Sequence, residues 1–339
     1  MLSTIFYAGE EENLLAFLSD QKVTQIILLA DANTNGFCIP LFRSLFPSLS
    51  NCSRIIIPQG EVNKNIDVCN FIWQELNVLQ ADTKTIVLNI GGGMLSDIGG
   101  FACSVYKRGI EFINIPTTLL AMVDAAYGGK TGIDFQGYKN HIGTFHAAKA
   151  IYCQPQYFDT LNERILWSGI AEMTKHALLS NEKDWQNLIH FQQNDFLSIE
   201  QIKKSLAIKM KFVEGDEHDQ SKRQCLNLGH SLGHAIESYS LQTASPLLHG
   251  EAIILGLYYE LKLSEQYFDL PANISAQTKS LKEKFFAQLQ FNFNYSDIAP
   301  FLLHDKKNHE GIRMSLLKHI GHCEHGIIVQ ENHIQALFS

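Results

Sequence analysis

The sequence predicts an α/β, Rossmann-like N-terminal domain over residues 1–160 and an all-α C-terminal domain over residues 161–339. Three observations carry this expectation. Up to about Asp159, short apolar runs alternate with amphipathic stretches, the pattern of a parallel sheet with crossover helices. After Thr160 the β-branched runs stop and the apolar period becomes helical. No repeat, low-complexity tract or Gly/Ser linker separates the halves, so they are expected to pack closely, with a cleft between them.

Residues 26–30, 55–58, 85–90 and 112–115 read as buried strands. Residues 64–79 set Ile66, Cys69, Ile72, Trp73 and Leu76 on one helical face, and a second helix is expected over residues 117–127, after Pro116. In the second half the helical period runs through residues 170–180, 199–212, 229–239, 250–268 and 276–289.

With 45% apolar and 18% charged residues, burial can offset chain entropy along most of the sequence, so a soluble globular protein is expected. The balance of 27 Lys plus Arg against 35 Asp plus Glu, a net charge of −8, argues against nucleic acid as a partner. Seven scattered cysteines without a C-x-x-C spacing fit the reduced thiols of a cytoplasmic protein. No apolar run approaches the roughly 18 residues needed to span a bilayer, so neither export nor a membrane association is expected.

Strand 85–90 runs into Gly91-Gly92-Gly93-Met94-Leu95-Ser96-Asp97 and then an apolar helical stretch. Glycines at such a turn let backbone N–H groups and the helix N-terminus approach a pyrophosphate, although a plain tight turn explains the run equally well. Gly128-Gly129-Lys130-Thr131, Lys139-Asn140 and Lys107-Arg108-Gly109 group cations with glycines near element ends, which suits an anion or merely a solvated turn. His230 and His234, four apart on a helix, share a face and could ligate zinc together, but the glutamate of an H-E-x-x-H pair is missing. Glu172 lies among small and apolar residues, where burial penalises a carboxylate that no cation compensates, and His249 precedes Gly250-Glu251. A His/His/Glu set with an open position suits a catalytic metal.

In order along the chain, these motifs resemble those of the 3-dehydroquinate synthase family. The likeness runs from about Asp31 to Gly321 and includes P-x-G-E-x-x-K from Pro58, GGG-x-x-x-D from Gly91, R-G at Arg108 and P-T-T-L-L-A-x-V-D from Pro116. It continues through G-G-K-T from Gly128, K-N at Lys139, A-E-x-x-K from Ala171, L-N-x-G-H-x-x-G-H from Leu226, H-G-E from His249 and D-K-K from Asp305.

The resemblance implies an NAD-binding α/β domain, a helical metal-binding domain, and conversion of 3-deoxy-D-arabino-heptulosonate 7-phosphate (DAHP) into 3-dehydroquinate and phosphate. It implies zinc, with cobalt as the alternative ion, on Glu172, His230 and His249, which makes His234 a substrate-side residue instead of the partner ligand of His230. Lys130, Asn140, Lys306 or its neighbour Lys307, and Arg108 from a second subunit of a homodimer would hold the substrate phosphate. Lys209 and Arg223 would grip its carboxylate, while Asp124, Lys175, Asn227 and His234 would meet hydroxyls. NAD contacts would fall on Asp31, Glu61, Lys64, Gly92, Gly93, Asp97, Thr117, Thr118, Lys130, Lys139 and Thr160.

The implied cycle is a transient oxidation by NAD, β-elimination of phosphate, re-reduction, ring opening and an internal aldol closure. The substrate's own phosphate serves as proton acceptor, so no enzyme base is assigned. Two departures from the family pattern stand out: Ser96 replaces a glycine, and Asp219 replaces a glutamate one methylene longer. The rival readings are a cyclase acting on a sugar phosphate without a carboxylate, which would leave Lys209 and Arg223 without their anion, and a metal-dependent polyol dehydrogenase, which would accumulate NADH.

Overall fold

The structure is a computed structural model that describes residues 3–136, 138–302 and 311–338. The chain folds as two compact units, Met1–Asn162 and Glu163–Ser339.

The first unit runs β1 (Thr4–Tyr7), α1 (Glu11–Asp20), β2 (Gln25–Asp31), α2 (Ala32–Leu45), β3 (Ser53–Ile57), α3 (Ile66–Val78), β4 (Thr85–Gly91) and α4 (Gly93–Val105). It continues with β5 (Glu111–Pro116), β6 (Lys130–Phe135), β7 (Tyr138–Phe145) and β8 (Ala150–Cys153). Six strands form one sheet in the order β1-β8-β5-β4-β2-β3, and every pairing in it is parallel. Central strand β4 is buried along its whole length, which is why its sequence is nearly all apolar. Its one amide, Asn89, pairs with Asn114 directly across on β5 at 3.0 Å, and Asn114 in turn donates to the Ala126 carbonyl at 3.1 Å. That chain of bonds pairs the Asn89 amide nitrogen and both ends of the Asn114 side chain, and pins the segment after β5 against the sheet.

All four expected strands form, and helix 64–79 starts two residues later than expected, at an Asn65 cap whose side chain accepts the Val68 N–H at 3.1 Å. The helix expected over residues 117–127 forms over 119–125 only, and its Ala121–Ala125 part is π-helical. β1 and β8, each four residues long, and the β6/β7 hairpin, whose second strand is buried nowhere along its length, lie outside those expectations.

The second unit runs α5 (Glu163–Leu178), α6 (Glu182–Ile189), α7 (Gln193–Phe196), α8 (Ile199–Val213), α9 (His230–Ser240), α10 (His249–Phe268) and α11 (Ala272–Phe285). It ends with α12 (Tyr295–Leu302), β9 (Ile312–His319), β10 (His322–Val329) and α13 (Glu331–Gln335). It is helical but not all-α: β9 and β10 form an antiparallel hairpin. Met314, Leu316 and Val329 of that hairpin join Leu232, Ile236 and Leu263 in one core, so the hairpin is a wall of the helical unit. Its apolar run at residues 314–317 is too short to distinguish from a buried helical turn by periodicity.

Backbones in this unit approach unusually closely. A Cβ on Gly256 would fall 2.1 Å from the Gly229 carbonyl oxygen, and one on Gly250 would fall 1.9 Å from that of Ser168. These contacts press α10 onto the start of α9 and onto α5, and so bring the first residues of two helices up to the side of a third. Among the described residues, no helix is long and apolar enough to cross a membrane.

Replacing Gly256 with Ala should cost about 3 kcal/mol or more, because the obstacle is backbone that cannot rotate away. Chemical denaturation checks this, with an unchanged midpoint as the contrary result.

Candidate functional site

In the helical unit the A-E-x-x-K spacing puts Glu172 and Lys175 on one face of α5, where they are 0% and 1% exposed. The Lys175 ammonium contacts Glu172 Oε2 directly. His230 opens α9 and His249 opens α10, and their Nε2 atoms face Glu172 Oε1 at 3.4 and 3.5 Å. The other ring nitrogens are already engaged: His230 Nδ1 faces the Leu228 carbonyl and His249 Nδ1 faces Glu237 Oε2, each at 3.2 Å. Both partners are acceptors, which places a proton on each Nδ1 and leaves each Nε2 as the atom that would turn to a metal ion. Neither oxygen of Glu172 accepts a hydrogen bond of good geometry.

With Nε2 deprotonated, the two rings would aim lone pairs at the carboxylate, an arrangement that a cation among them would stabilise. The donors are therefore a fit for a divalent ion: two neutral imidazoles, each oriented by a hydrogen bond on its far side, and one carboxylate. Without an ion, cationic groups balance the carboxylate instead. Burial opposes the Glu172 charge, but Lys175 and His230 outweigh it and hold the carboxyl well below the usual range. Burial also opposes a charged His249, yet Glu237 and Glu172 push it up to about 9. Burial and then Lys175 lower His230. His234 lies alongside, its ring 5.1 Å from that of His230 and 5.8 Å from that of His249. One nitrogen from each of the three histidines lies within 4.8 Å of the others, so the geometry admits a three-histidine set as well as the set with Glu172.

Several residues that build this cluster were not singled out from sequence. Buried Glu237 orients His249. Glu260, also fully buried, accepts the backbone N–H groups of Gly229 at 2.5 Å and Leu232 at 2.9 Å, fixing the turn that presents His230. Arg164 grips Glu251 with two bonds of 2.7 Å, and Glu251 accepts the Leu248 N–H at 2.7 Å, which caps α10 just ahead of His249. Only Glu251 stood in a recognisable triplet; the other carboxylates sit in apolar helical sequence without a distinctive spacing.

Lys209 on α8 and Arg223 are both buried. Arg223 and half-buried Asn227 share the 3-10 turn Lys222–Asn227. The loop before that turn is organised by Asp216, which accepts the N–H groups of Gln220, Ser221 and Arg223 at 2.8 to 2.9 Å. Burial would raise its carboxyl, but these donors hold it well below the usual range. Arg223 Nη1 donates to the Glu217 carbonyl at 2.7 Å. Asp219 takes the left-handed backbone conformation at φ 57, a geometry that short Asp tolerates better than most residues.

In the α/β unit, connections leave β2 and β4 toward opposite edges of the sheet, so the crevice at their carboxyl ends is the topological switch point. Asp31 stands at one lip, its carboxylate accepting the Thr34 N–H at 2.8 Å to cap α2. Gly91 and Gly92 stand at the other. Gly92 is the N-cap of α4 and offers no side-chain acceptor, so the first N–H groups of that helix are left for an anion. Thr118 packs over this turn, 3.0 Å from where a Cβ on Gly92 would lie, and Thr117 donates its N–H to the Gly91 carbonyl at 3.0 Å. Ser96 is accommodated by its own helix, Oγ donating to the Gly92 carbonyl at 3.2 Å.

Beside the crevice, Lys64 is buried and binds Asp97 at 2.6 Å and Asn140 Oδ1 at 2.5 Å. Burial opposes its charge, but Asp97 and Glu61 more than compensate and raise it above the ordinary lysine value. Lys139 pairs with Glu61 at 2.9 Å. The structure thus gathers Glu61, Lys64, Asp97, Lys139 and Asn140 into one network, with Asn140 held at φ 53. Lys130 is exposed at the start of β6, after two glycines of positive φ. Asp124 lies in the π-helical segment, Arg108 is exposed at φ 66, and Thr160 donates to the Tyr157 carbonyl at 2.7 Å. Lys306 and Lys307 lie outside the described residues.

Comparison with known proteins completes this picture. The model of the 3-dehydroquinate synthase N-terminal domain matches residues 54–168, and that of the C-terminal domain matches residues 169–308. A 3-dehydroquinate synthase of Parabacteroides distasonis is 36% identical over 316 residues, covering 92% of this chain and 89% of that protein. Among solved structures, 2-deoxy-scyllo-inosose synthase complexed with carbaglucose-6-phosphate, NAD+ and Co2+ superposes with a TM-score of 0.87 at 20% identity, over 100% of this chain and 98% of that one. The 2-epi-5-epi-valiolone synthase of Streptomyces hygroscopicus, with NAD+ and Zn2+ bound, gives 0.82 at 21% identity, over 98% and 95%. At such identity the two structures establish a shared fold. The matched family models and the full-length relative show more, and the chain belongs to the 3-dehydroquinate synthase family.

Proposed function

We propose that this chain is a 3-dehydroquinate synthase, converting DAHP into 3-dehydroquinate and phosphate with NAD and one divalent ion, zinc or alternatively cobalt. The observation that carries this reading, in a chain of this family, is the convergence of the His230 and His249 Nε2 atoms on the buried Glu172 carboxylate.

Glu172, His230 and His249 would hold the metal. Gly92, Gly93 and the N-terminus of α4 would take the dinucleotide's phosphates, with Asp31, Glu61, Lys64, Asp97, Thr117, Thr118, Lys130, Lys139 and Thr160 as further contacts. Bound there, the metal supplies Lewis acidity at a substrate hydroxyl and the dinucleotide supplies a reversible hydride acceptor.

The chain's own residues do the rest by binding and orientation. Lys209 and Arg223, already desolvated, gain most from an anionic group, and the substrate carboxylate provides one. Lys175 donates to a substrate hydroxyl from beside Glu172, and Asp124, Asn227 and His234 meet the remaining hydroxyls. Asn140, its carbonyl oxygen taken by Lys64, would offer its amide N–H groups to a phosphate oxygen, a role it would share with Lys130 and with Lys306 or Lys307. The leaving phosphate accepts the proton from the carbon beside the transient ketone, so no enzyme base is needed. Arg108, exposed on a left-handed turn, would reach the phosphate of a second copy in a homodimer.

Purified protein with catalytic NAD and zinc should release phosphate from DAHP without a sustained rise in NADH absorbance, and a metal chelator should abolish the release. Phosphate from sedoheptulose 7-phosphate or glucose 6-phosphate in place of DAHP, or stoichiometric NADH, would contradict the reading. Glu237→Gln removes the carboxylate behind His249 and should weaken zinc binding about 10- to 100-fold with the fold intact. Competition with a chromogenic chelator measures this, and unchanged affinity would count against the proposed ligand set.

A further inference from the structure

Cys225 and Cys323, 98 residues apart in sequence, face one another in the helical unit. Cys225 lies in the turn Lys222–Asn227, and Cys323 lies on β10. Cys225 Sγ is 3.3 Å from the Cys323 carbonyl oxygen, and Cys323 Sγ is 4.0 Å from that of Cys225. Each side chain therefore lies against the other's backbone. The neighbouring residue locks this arrangement: Ser315 Oγ on β9 donates to the Gln224 carbonyl at 2.7 Å, and His325 Nδ1 on β10 lies 3.2 Å from Gln224 Oε1. Cys225 is buried, whereas Cys323 is partly exposed and gives a small oxidant its entry. The Cys323 S–H lowers the Cys225 pKa against the opposing effect of burial, favouring the nucleophilic thiolate. The remaining five cysteines belong to the other unit.

We propose that Cys225 and Cys323 form a redox modification site, at which a hydroperoxide converts the pair to a disulfide that displaces the turn carrying Arg223 and Asn227 and lowers activity. The Cys225 thiolate attacks one oxygen of hydrogen peroxide. The O–O bond breaks, water leaves after protonation, and the sulfur becomes a sulfenic acid. Cys323 then displaces its hydroxyl as a second water and the S–S bond forms. Two thiols lose two electrons and two protons, and one peroxide becomes two waters.

Bonding requires the sulfurs to close to about 2.05 Å, and Arg223 and Asn227 each lie two residues from Cys225. Displacement of binding groups by roughly 1 Å can cost about 100-fold in rate. The loss of activity rests on the function proposed above; formation of the bond does not.

The test treats the reduced protein with hydrogen peroxide and maps its peptides by mass spectrometry, alongside phosphate release from DAHP. The expected result is a linked Cys225–Cys323 peptide pair and an activity loss of about tenfold or more that dithiothreitol reverses. C225S and C323S should each keep their activity under the same treatment. Separately alkylated Cys225 and Cys323 after peroxide would overturn the proposal, as would a linked pair with undiminished activity. If the reduced protein releases no phosphate at all, the assigned reaction fails, while the peptide map still decides whether this thiol pair is an oxidation site.

Discussion

A carboxylate without access to water organises the helical unit. Glu172 is fully buried on α5, and its charge is tolerable only because Lys175 stands one turn away and two imidazoles approach from other helices. Close backbone contacts at Gly250 and Gly256 make that approach possible, since a Cβ at either site would collide with a neighbouring main chain. Carboxylates then aim the rings. Glu237 takes the far nitrogen of His249, Glu260 holds the turn ahead of His230, and the Arg164–Glu251 pair secures the start of α10. A metal-binding geometry therefore depends on buried acids that need not touch the metal themselves.

The α/β unit works by the opposite electrostatics. Its switch point ends in glycines and an uncapped helix N-terminus, which present N–H groups to an anion, and the acids and cations beside it are paired in the network of Glu61, Lys64, Asp97 and Lys139. One unit offers a concentration of lone pairs to a cation and the other offers donors to phosphates.

Much of this was legible in the sequence because it rests on local periodicity. The unbroken apolar run of β4 marks a strand buried on both faces, and the A-E-x-x-K spacing alone sets Glu172 beside Lys175. The convergence of His230 and His249 was not legible from spacing, which favoured His230 with His234; the family resemblance pointed to Glu172, and the structure brings the three histidines within 4.8 Å of one another and Glu172 within 3.5 Å of His230 and His249. The β9/β10 hairpin was missed because its short apolar run has no telling period, and the π-helical form of Ala121–Ala125 because the bond from Asn114 on β5 to the Ala126 carbonyl, which ties down its end, leaves no mark in the periodicity. Glu237 and Glu260 could not be found locally either, since each acts on a residue from another segment. The Cys225–Cys323 pairing is likewise long-range, and scattered cysteines gave no hint of it.

The central claim is that Glu172 shares one divalent ion with His230 and His249. Calorimetric titration of metal-free protein with zinc tests it most directly, comparing the natural chain with Glu172→Gln, which keeps the shape and removes the charge. The account predicts one zinc per chain, with affinity lowered about 100-fold or more in the variant while its circular dichroism is unchanged. Equal affinity and stoichiometry in the two proteins would contradict it.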